Sequence, residues 1–238
     1  MIKTINIREI ILEILMEITE EEEYSHIVIR NALEKYQFLE KRDRAFISRV
    51  CVGTIENMIL LDYMIEQFSK VKVINMKPII RNLLRMSVYQ LRFMDTIPDS
   101  AVCNEAVKIA QKRGFYNLKG FVNGVLRNIA RGMDTIIYPS LEKDPVSYLS
   151  VTYSIPEWII TKWTAQFGVE QVEQVCKSFQ KEHMTSIRCN LDKASKEEVI
   201  KSLKDQGITV KESPYLNYAL EIGNYNYMKA INAFKKGY

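Results

Sequence analysis

The sequence predicts a mainly α-helical chain: a long all-helical part followed by a small α+β region. Three observations carry this. Glycine (9) and proline (6) are scarce in 238 residues, both well below their usual shares of about 7% and 5%. Apolar residues recur at helical spacing as far as about residue 132. Near residue 185 the pattern changes to the short alternation of strands.

The elements follow in order. Residues 1–77 contain no proline and one glycine, Gly53. Ile7, Ile10, Ile11, Ile14, Leu15 and Ile18 form one helical stripe, with Glu9, Glu13 and Glu17 on another face, until the acidic run Glu20–Glu23 ends it. A second helix is predicted over Ser25–Tyr36, and a long helical stretch over Asp43–Phe68, bent or broken near Gly53–Glu56. Pro78 suits the first turn of a helix that runs to Phe93. Asp99 or Ser100 is read as the cap of a helix to Arg113, stopped by Gly114, and another helix covers Asn117–Arg131 up to Gly132. Pro139, Pro145 and Pro156 mark 139–157 as a linker. Helices are predicted over Ile155–Gly168, with Trp158 and Trp163 as core or domain-interface anchors, and over Val169–Lys181. Strands are predicted at Thr185–Leu191, Ile208–Lys211 and Ala219–Ile222, around a helix over Ser195–Gln206 whose Ser195 and Glu198 have capping-box spacing. The resulting division is a helical domain over 1–138, the linker, and an α+β subdomain over 158–238.

Composition excludes several classes. Hydrophobic residues at 47% and charged residues at 26% describe an ordinary globular chain. Cys51, Cys103, Cys176 and Cys189 form no CxxC pair, and His26 and His183 are far apart, so no metal site is expected; the thiols read as buried in a reducing cytoplasm. No apolar run reaches the ~20 residues of a membrane span, and the amino terminus lacks a signal-peptide layout. There is no glycine-rich phosphate loop, and no Ser-His-Asp or Cys-His set can be assembled. On its residues alone the chain is a binding module.

What it binds is suggested by charge. The net charge of +4 is mild, but Lys77–Arg131 carries ten basic residues against Asp95, Asp99 and Glu105, a net +7 over 55 residues. Arg81/Arg85, Lys108/Lys112 and Arg127/Arg131 are i,i+4 pairs, each on one helix face. Such stacked like charges suit a polyanion, and Tyr89, Phe93, Phe115, Tyr116 and Phe121 lie among them for base stacking. The candidate RNA-binding residues are therefore Arg81, Arg85, Arg92, Lys108, Lys112, Arg113, Lys119, Arg127 and Arg131, with Arg188 added from the predicted strand at 185–191.

Lys77–Arg131 resembles the helical RNA-binding domain named after the antitermination factor NusB. The pieces that carry the likeness are IIRNLLRMSVYQL (79–91), the Pro98 loop, Asn104-Glu105-Ala106-Val107 and Phe121-Val122-Asn123-Gly124-Val125-Leu126; Arg42–Phe46 and Gly53–Ile55 extend it to about residues 5–132. The continuation, Ser154–Trp158, Phe167-Gly168 and Ser186–Asn190, is similar to RsmB-type (Sun/Fmu) enzymes, which methylate carbon-5 of a cytosine in 16S ribosomal RNA. In that family a NusB-like domain leads, a small RRM-like α+β region follows, and an S-adenosylmethionine-dependent catalytic domain comes last.

The resemblance implies a small-subunit rRNA partner and a cytoplasmic location. It also implies that Gly237-Tyr238 stands where the family continues into its catalytic domain. The family's two working cysteines lie in Pro-Cys and Thr/Ser-Cys dipeptides, whereas here Val50, Val102, Val175 and Arg188 precede the cysteines. The chain is thus expected to recognise rRNA for a catalytic domain and not to methylate by itself. It is expected to hold no cofactor or metal, S-adenosylmethionine being the cofactor of the full-length enzyme. A non-catalytic antitermination protein and a protein-interaction scaffold are the alternatives; salt-sensitive binding to a preferred RNA would count against the scaffold.

Overall fold

The computed structural model describes residues 6–181, 184–225 and 227–238; His183 lies outside them. The chain forms two compact units, residues 1–179 and 180–238.

The first unit is all helix. Helices α1 (Ile7–Glu20), α2 (Ser25–Lys35), α3 (Lys41–Glu56), α4 (Met58–Phe68), α5 (Pro78–Phe93), α6 (Asp99–Lys112) and α7 (Lys119–Gly132) follow in order. Helix α5 sits at the centre, packed on α1, α3, α4, α6 and α7. Its burial extends well beyond one stripe, from Ile80 through Leu83, Leu84, Met86 and Val88 to Tyr89, and includes the polar Asn82, Arg85, Ser87 and Gln90. A helix buried on most sides cannot leave such groups unpaired without cost. Gln90 accepts from Arg8 Nε at 2.9 Å, and the Asn82 amide donates to Thr19 and Glu20 at 2.8 and 3.1 Å.

The long stretch read over 43–68 breaks at Asn57, between α3 and α4. Gly53 does not break the helix; it stands inside α3 because any Cβ there would overlap the Tyr89 ring. Helix α6 starts after Pro98 with no side-chain cap, so Asp99 belongs to its first turn and the expected Asp99 or Ser100 cap is absent. Its end is as read: Gly114, at φ +86°, turns the chain so that Phe115 N donates to Ala110 O at 2.9 Å. A short 3₁₀ turn, Tyr116–Leu118, then leads directly into α7.

The proline-bearing stretch 139–157 contains a helix, α8 (Pro145–Tyr153), with Pro145 in its first turn and Asp144 accepting from Ser147 N as its cap. Helices α9 (Glu157–Phe167) and α10 (Val169–Phe179) complete the unit around a core of Leu149, Tyr153, Ile160, Val172 and Cys176. Trp163 packs against that core, whereas Trp158 is 70% exposed and is no core anchor. Ser154, in the left-handed conformation after α8, accepts from Ile59 N at 2.9 Å and Leu60 N at 3.4 Å, at the first turn of α4.

The second unit has strands β1 (Thr185–Arg188), β2 (Thr209–Glu212) and β3 (Ala219–Gly223), with α11 (Lys196–Lys204) between β1 and β2 and a short α12 (Asn232–Lys236) after β3. The sheet order is β1-β3-β2, antiparallel throughout, with Ile187 opposite Leu220 and Val210 opposite Ile222. This is the β-α-β-β portion of a ferredoxin-like arrangement. Alternation sends Ile187, Val210, Leu220 and Ile222 to the core with Val199 and Leu203 of α11. The capping box at Ser195 and Glu198 is formed. Strand β1 stops at Arg188, short of the predicted Leu191.

Among the described residues no helix is long and apolar enough to cross a membrane, and no group of three His, Cys, Asp or Glu side chains could hold a metal ion. All four cysteines are free and buried, and burial raises the Cys51 thiol well above its ordinary value.

Candidate nucleic-acid interface

The basic stretch Lys77–Arg131 spans α5, α6 and α7, and packing sorts its cations into two sets. One set is paired with carboxylates, most of them on other helices. Arg81 donates through Nη2 to both carboxylate oxygens of Glu20 on α1, each at 2.8 Å. Burial alone would raise the Glu20 carboxyl, but the hydrogen bonds from Arg81, Thr19 and Asn82 and the Arg81 charge together hold it below the ordinary carboxylate range. Arg85 is buried and forms a two-pronged pair with Asp62 on α4, at 2.7 and 2.6 Å. Lys112 meets Glu9 at 2.7 Å and Arg113 meets Glu13 at 2.6 Å, both on α1. Lys108 pairs along its own helix with Glu105 at 2.8 Å, an interaction that lowers the Glu105 carboxyl.

The second set has no carboxylate partner among the described residues. Arg127 donates to the amide oxygen of Asn123 at 2.9 Å, Arg131 to that of Asn128 at 2.8 Å, and the Lys119 ammonium lies 3.9 Å from the centroid of the exposed Tyr116 ring. Arg92 is exposed at the end of α5, and Arg188 is exposed on β1 in the other unit. Their charges are not cancelled locally.

These two sets meet at one place. A groove of about 530 Å³ runs between α6 and α7, lined by Asn104, Lys108, Gln111, Lys119, Asn123 and Arg127, with Val107 and Gly120. Three cations and three amides converge there, and Tyr116 stands next to it beneath Lys119. Such a lining offers donors for phosphate oxygens from the cations, and both donors and acceptors for base and ribose edges from the amides. Lys108 is 70% exposed, so its pair with Glu105 is solvent-screened and readily exchanged for a phosphate.

The structure therefore brings Lys108, Lys119 and Arg127 together, buries Arg85 against Asp62 and ties the partly buried Arg81 to Glu20. The amides Asn104, Gln111 and Asn123 were missed in the sequence. A signal for them exists: Asn104 and Gln111 are seven apart, and so on one face of α6 with Lys108.

Comparison with known proteins gives a consistent picture. Residues 5–131 match the NusB family, and residues 155–227 match the Methyltr_RsmF/B-like, ferredoxin-like domain. The chain is 33% identical over 221 residues to the "Probable ribosomal RNA small subunit methyltransferase B" of Bacillus subtilis (strain 168), covering 92% of this chain and 48% of that protein. It is 33% identical over 127 residues to the "Transcription antitermination protein NusB" of Clostridium novyi (strain NT), covering 52% of this chain and 95% of that protein. The crystal structure of PH0851 shares the fold over 97% of this chain and 52% of its own, with a TM-score of 0.69 at 23% identity. The chain spans about half the length of the curated methyltransferase relatives it matches. It belongs to the NusB family, and a ferredoxin-like domain of the RsmF/B type follows its NusB domain.

Proposed function

We propose that this chain is the rRNA-recognising portion of a small-subunit ribosomal RNA methyltransferase that acts on carbon-5 of a cytosine with S-adenosylmethionine as methyl donor. The observation that carries the reading is the succession of the two domains in one chain, matched over most of its length by a relative named as a probable small-subunit ribosomal RNA methyltransferase. An antitermination protein of the NusB type accounts for the first of these domains only.

In this reading the α6–α7 groove holds RNA through its backbone. Lys108, Lys119 and Arg127 replace counterions on phosphates, and Asn104, Gln111 and Asn123 bind exposed base or ribose edges. In this reading the methyl donor is held by a catalytic domain and not by the residues described. Their sheet is three-stranded and antiparallel, unlike the parallel strand–glycine turn–helix unit that cradles an adenosyl cofactor. No chemical step is assigned to this chain; extrusion of the target base and methyl transfer belong to a catalytic domain acting on the RNA it presents.

The test is fluorescence anisotropy of the chain with a small-subunit rRNA hairpin and a scrambled control, across salt, for wild type and Lys119→Glu/Arg127→Glu. The reading expects preference for the rRNA hairpin. It also expects the salt slope of the variant to be shallower by about 0.7–0.9 for each phosphate that its side chains no longer neutralise. Equal and salt-insensitive binding of both RNAs, or none, overturns it.

A further inference from the structure

The second unit carries its own candidate RNA surface, in an unexpected place. On the sheet face away from the core, β1 presents Ser186 and Arg188, β3 presents Ala219, Glu221 and Gly223, and β2 presents Thr209 and Lys211. None of these strand residues is aromatic, so the sheet offers no platform on which bases could stack. Two exposed tyrosines, Tyr215 and Tyr218, lie instead at one end of the sheet, where β1 gives way to α11 and β2 turns into β3.

There a hollow of about 430 Å³ is lined by Arg188, Cys189, Asn190, Leu191, Asp192 and Tyr218. That volume lies in the range of about 300–1,000 Å³ typical of small-ligand sites. The Arg188 guanidinium sits 5.8 Å from the centroid of the Tyr218 ring and has no carboxylate partner among the described residues. Leu191 is 55% exposed beside it. The β2–β3 turn is internally braced, Ser213 N donating to Ala219 O at 3.2 Å and Ala219 N to Leu216 O at 3.1 Å. That bracing holds out Tyr215, 89% exposed, and Leu216 at its tip.

An apolar, aromatic surface held out by a braced turn, next to an uncancelled guanidinium, combines the two things an unpaired nucleotide needs. One is a flat face for its base and the other a cation for its phosphate. A base-paired helix keeps its bases stacked on one another and has no use for the tyrosines. We propose that this end of the second unit binds one or two unpaired nucleotides of the RNA, with the base on Tyr218 and Leu191, the phosphate on Arg188, and Tyr215 stacking on the neighbouring base. Asp192, which lines the same hollow, accepts from a base amino group and disfavours a second phosphate there. The proposal rests on the reading that the chain binds RNA, and it adds a single-strand requirement that the α6–α7 groove does not impose.

The experiment compares a blunt RNA duplex with the same duplex carrying a six-nucleotide single-stranded extension, by fluorescence anisotropy at fixed salt. The proteins are wild type, Tyr215→Ala/Tyr218→Ala, Tyr218→Phe and Arg188→Ala. Wild type is expected to prefer the extended RNA by about tenfold, a modest value for base–aromatic stacking. The double tyrosine variant should lose that preference while binding the blunt duplex as wild type does. Tyr218→Phe, which keeps the ring, should retain the preference, and Arg188→Ala should reduce it. If wild type binds both RNAs equally well, or the double variant keeps the full preference, the proposal fails while the groove reading stands. If wild type binds neither RNA, both fail. Thermal melts of the four proteins separate impaired binding from impaired folding.

Discussion

Arg85 illustrates how far a cation's role depends on what packs around it. Its side chain is 11% exposed and that of its partner Asp62 is 27% exposed, with two hydrogen bonds of 2.7 and 2.6 Å between them. Replacing Arg85 by alanine strands a half-buried carboxylate, removes the long stem from the centre of the helical unit, and deprives Asn82 of a donor at 3.5 Å. Breaking a fully buried pair costs about 3–5 kcal/mol. The partial exposure of Asp62 lets water recover part of that, so a loss of about 2–3 kcal/mol is expected. For a unit of this size each kcal/mol moves Tm by about 2–4 °C, so Arg85→Ala should melt roughly 5–10 °C early. Both tryptophans lie in the first unit, so tryptophan fluorescence reads that transition directly. The internal control is Arg113→Ala, whose pair with Glu13 is 30% and 58% exposed. A pair of that kind contributes about 0–1 kcal/mol. A further variant, Arg85→Met/Asp62→Leu, removes both charges and should recover most of the stability that Arg85→Ala forfeits. If Arg85→Ala melts with wild type and instead loses RNA affinity, Arg85 is a surface cation and the division of the basic residues into paired and unpaired sets is wrong.

Two other perturbations follow from the same packing. Gly53→Ala improves helix propensity by about 1 kcal/mol, but the new Cβ meets the Tyr89 ring, which is itself pressed against Phe93 at 5.1 Å between centroids. Overpacking costs about 1–3 kcal/mol and should win; denaturant unfolding is expected to show net destabilisation, relieved when Tyr89→Leu is added, and a more stable Gly53→Ala would show that the ring moves freely. Glu20 has its pKa lowered in the folded state, so it stabilises the fold above the ordinary carboxylate range and that contribution is lost as pH falls through its folded value. Glu20→Gln should therefore lower stability at neutral pH and flatten the decline as pH falls through and below the ordinary carboxylate range, and an unchanged acid limb in pH-dependent melts would remove Glu20 from that role.

Much of the fold was legible because its signals are local. The stripe of isoleucines in α1, Pro78 at the start of α5, Gly114 at the end of α6 and the Ser195–Glu198 capping box each act within a few residues, and each element stands where its signal lies. Helix α8 was not legible. Pro139, Pro145 and Pro156 read as a linker, although Pro145 occupies the one turn that tolerates proline. The site was legible in composition but not in allocation. Spacing correctly put Arg81 and Arg85 on one face of α5, yet whether that face meets water or Glu20 and Asp62 depends on helices 23 to 61 residues away in sequence. Charge along the chain carries no sign of partners that distant. The groove amides are hard to read for the opposite reason: the seven-residue spacing of Asn104 and Gln111 puts them on one face of α6, but nothing marks that face as a groove wall until α7 supplies the other.

The hydrogen bonds from the first turn of α4 to Ser154 have a consequence for the order in which the molecule matures. The amides of Ile59 and Leu60 wait for a partner 95 and 94 residues later in the chain. On a ribosome, where the amino-terminal part emerges first, the helical core can collapse around α5 while that end of α4 still faces water. It is sealed only once residue 154 has left the exit tunnel and α8 has formed. The amide protons of Ile59 and Leu60 are thus a clock for the arrival of the proline-flanked segment, and a chain halted before it would keep a frayed end on an otherwise assembled bundle.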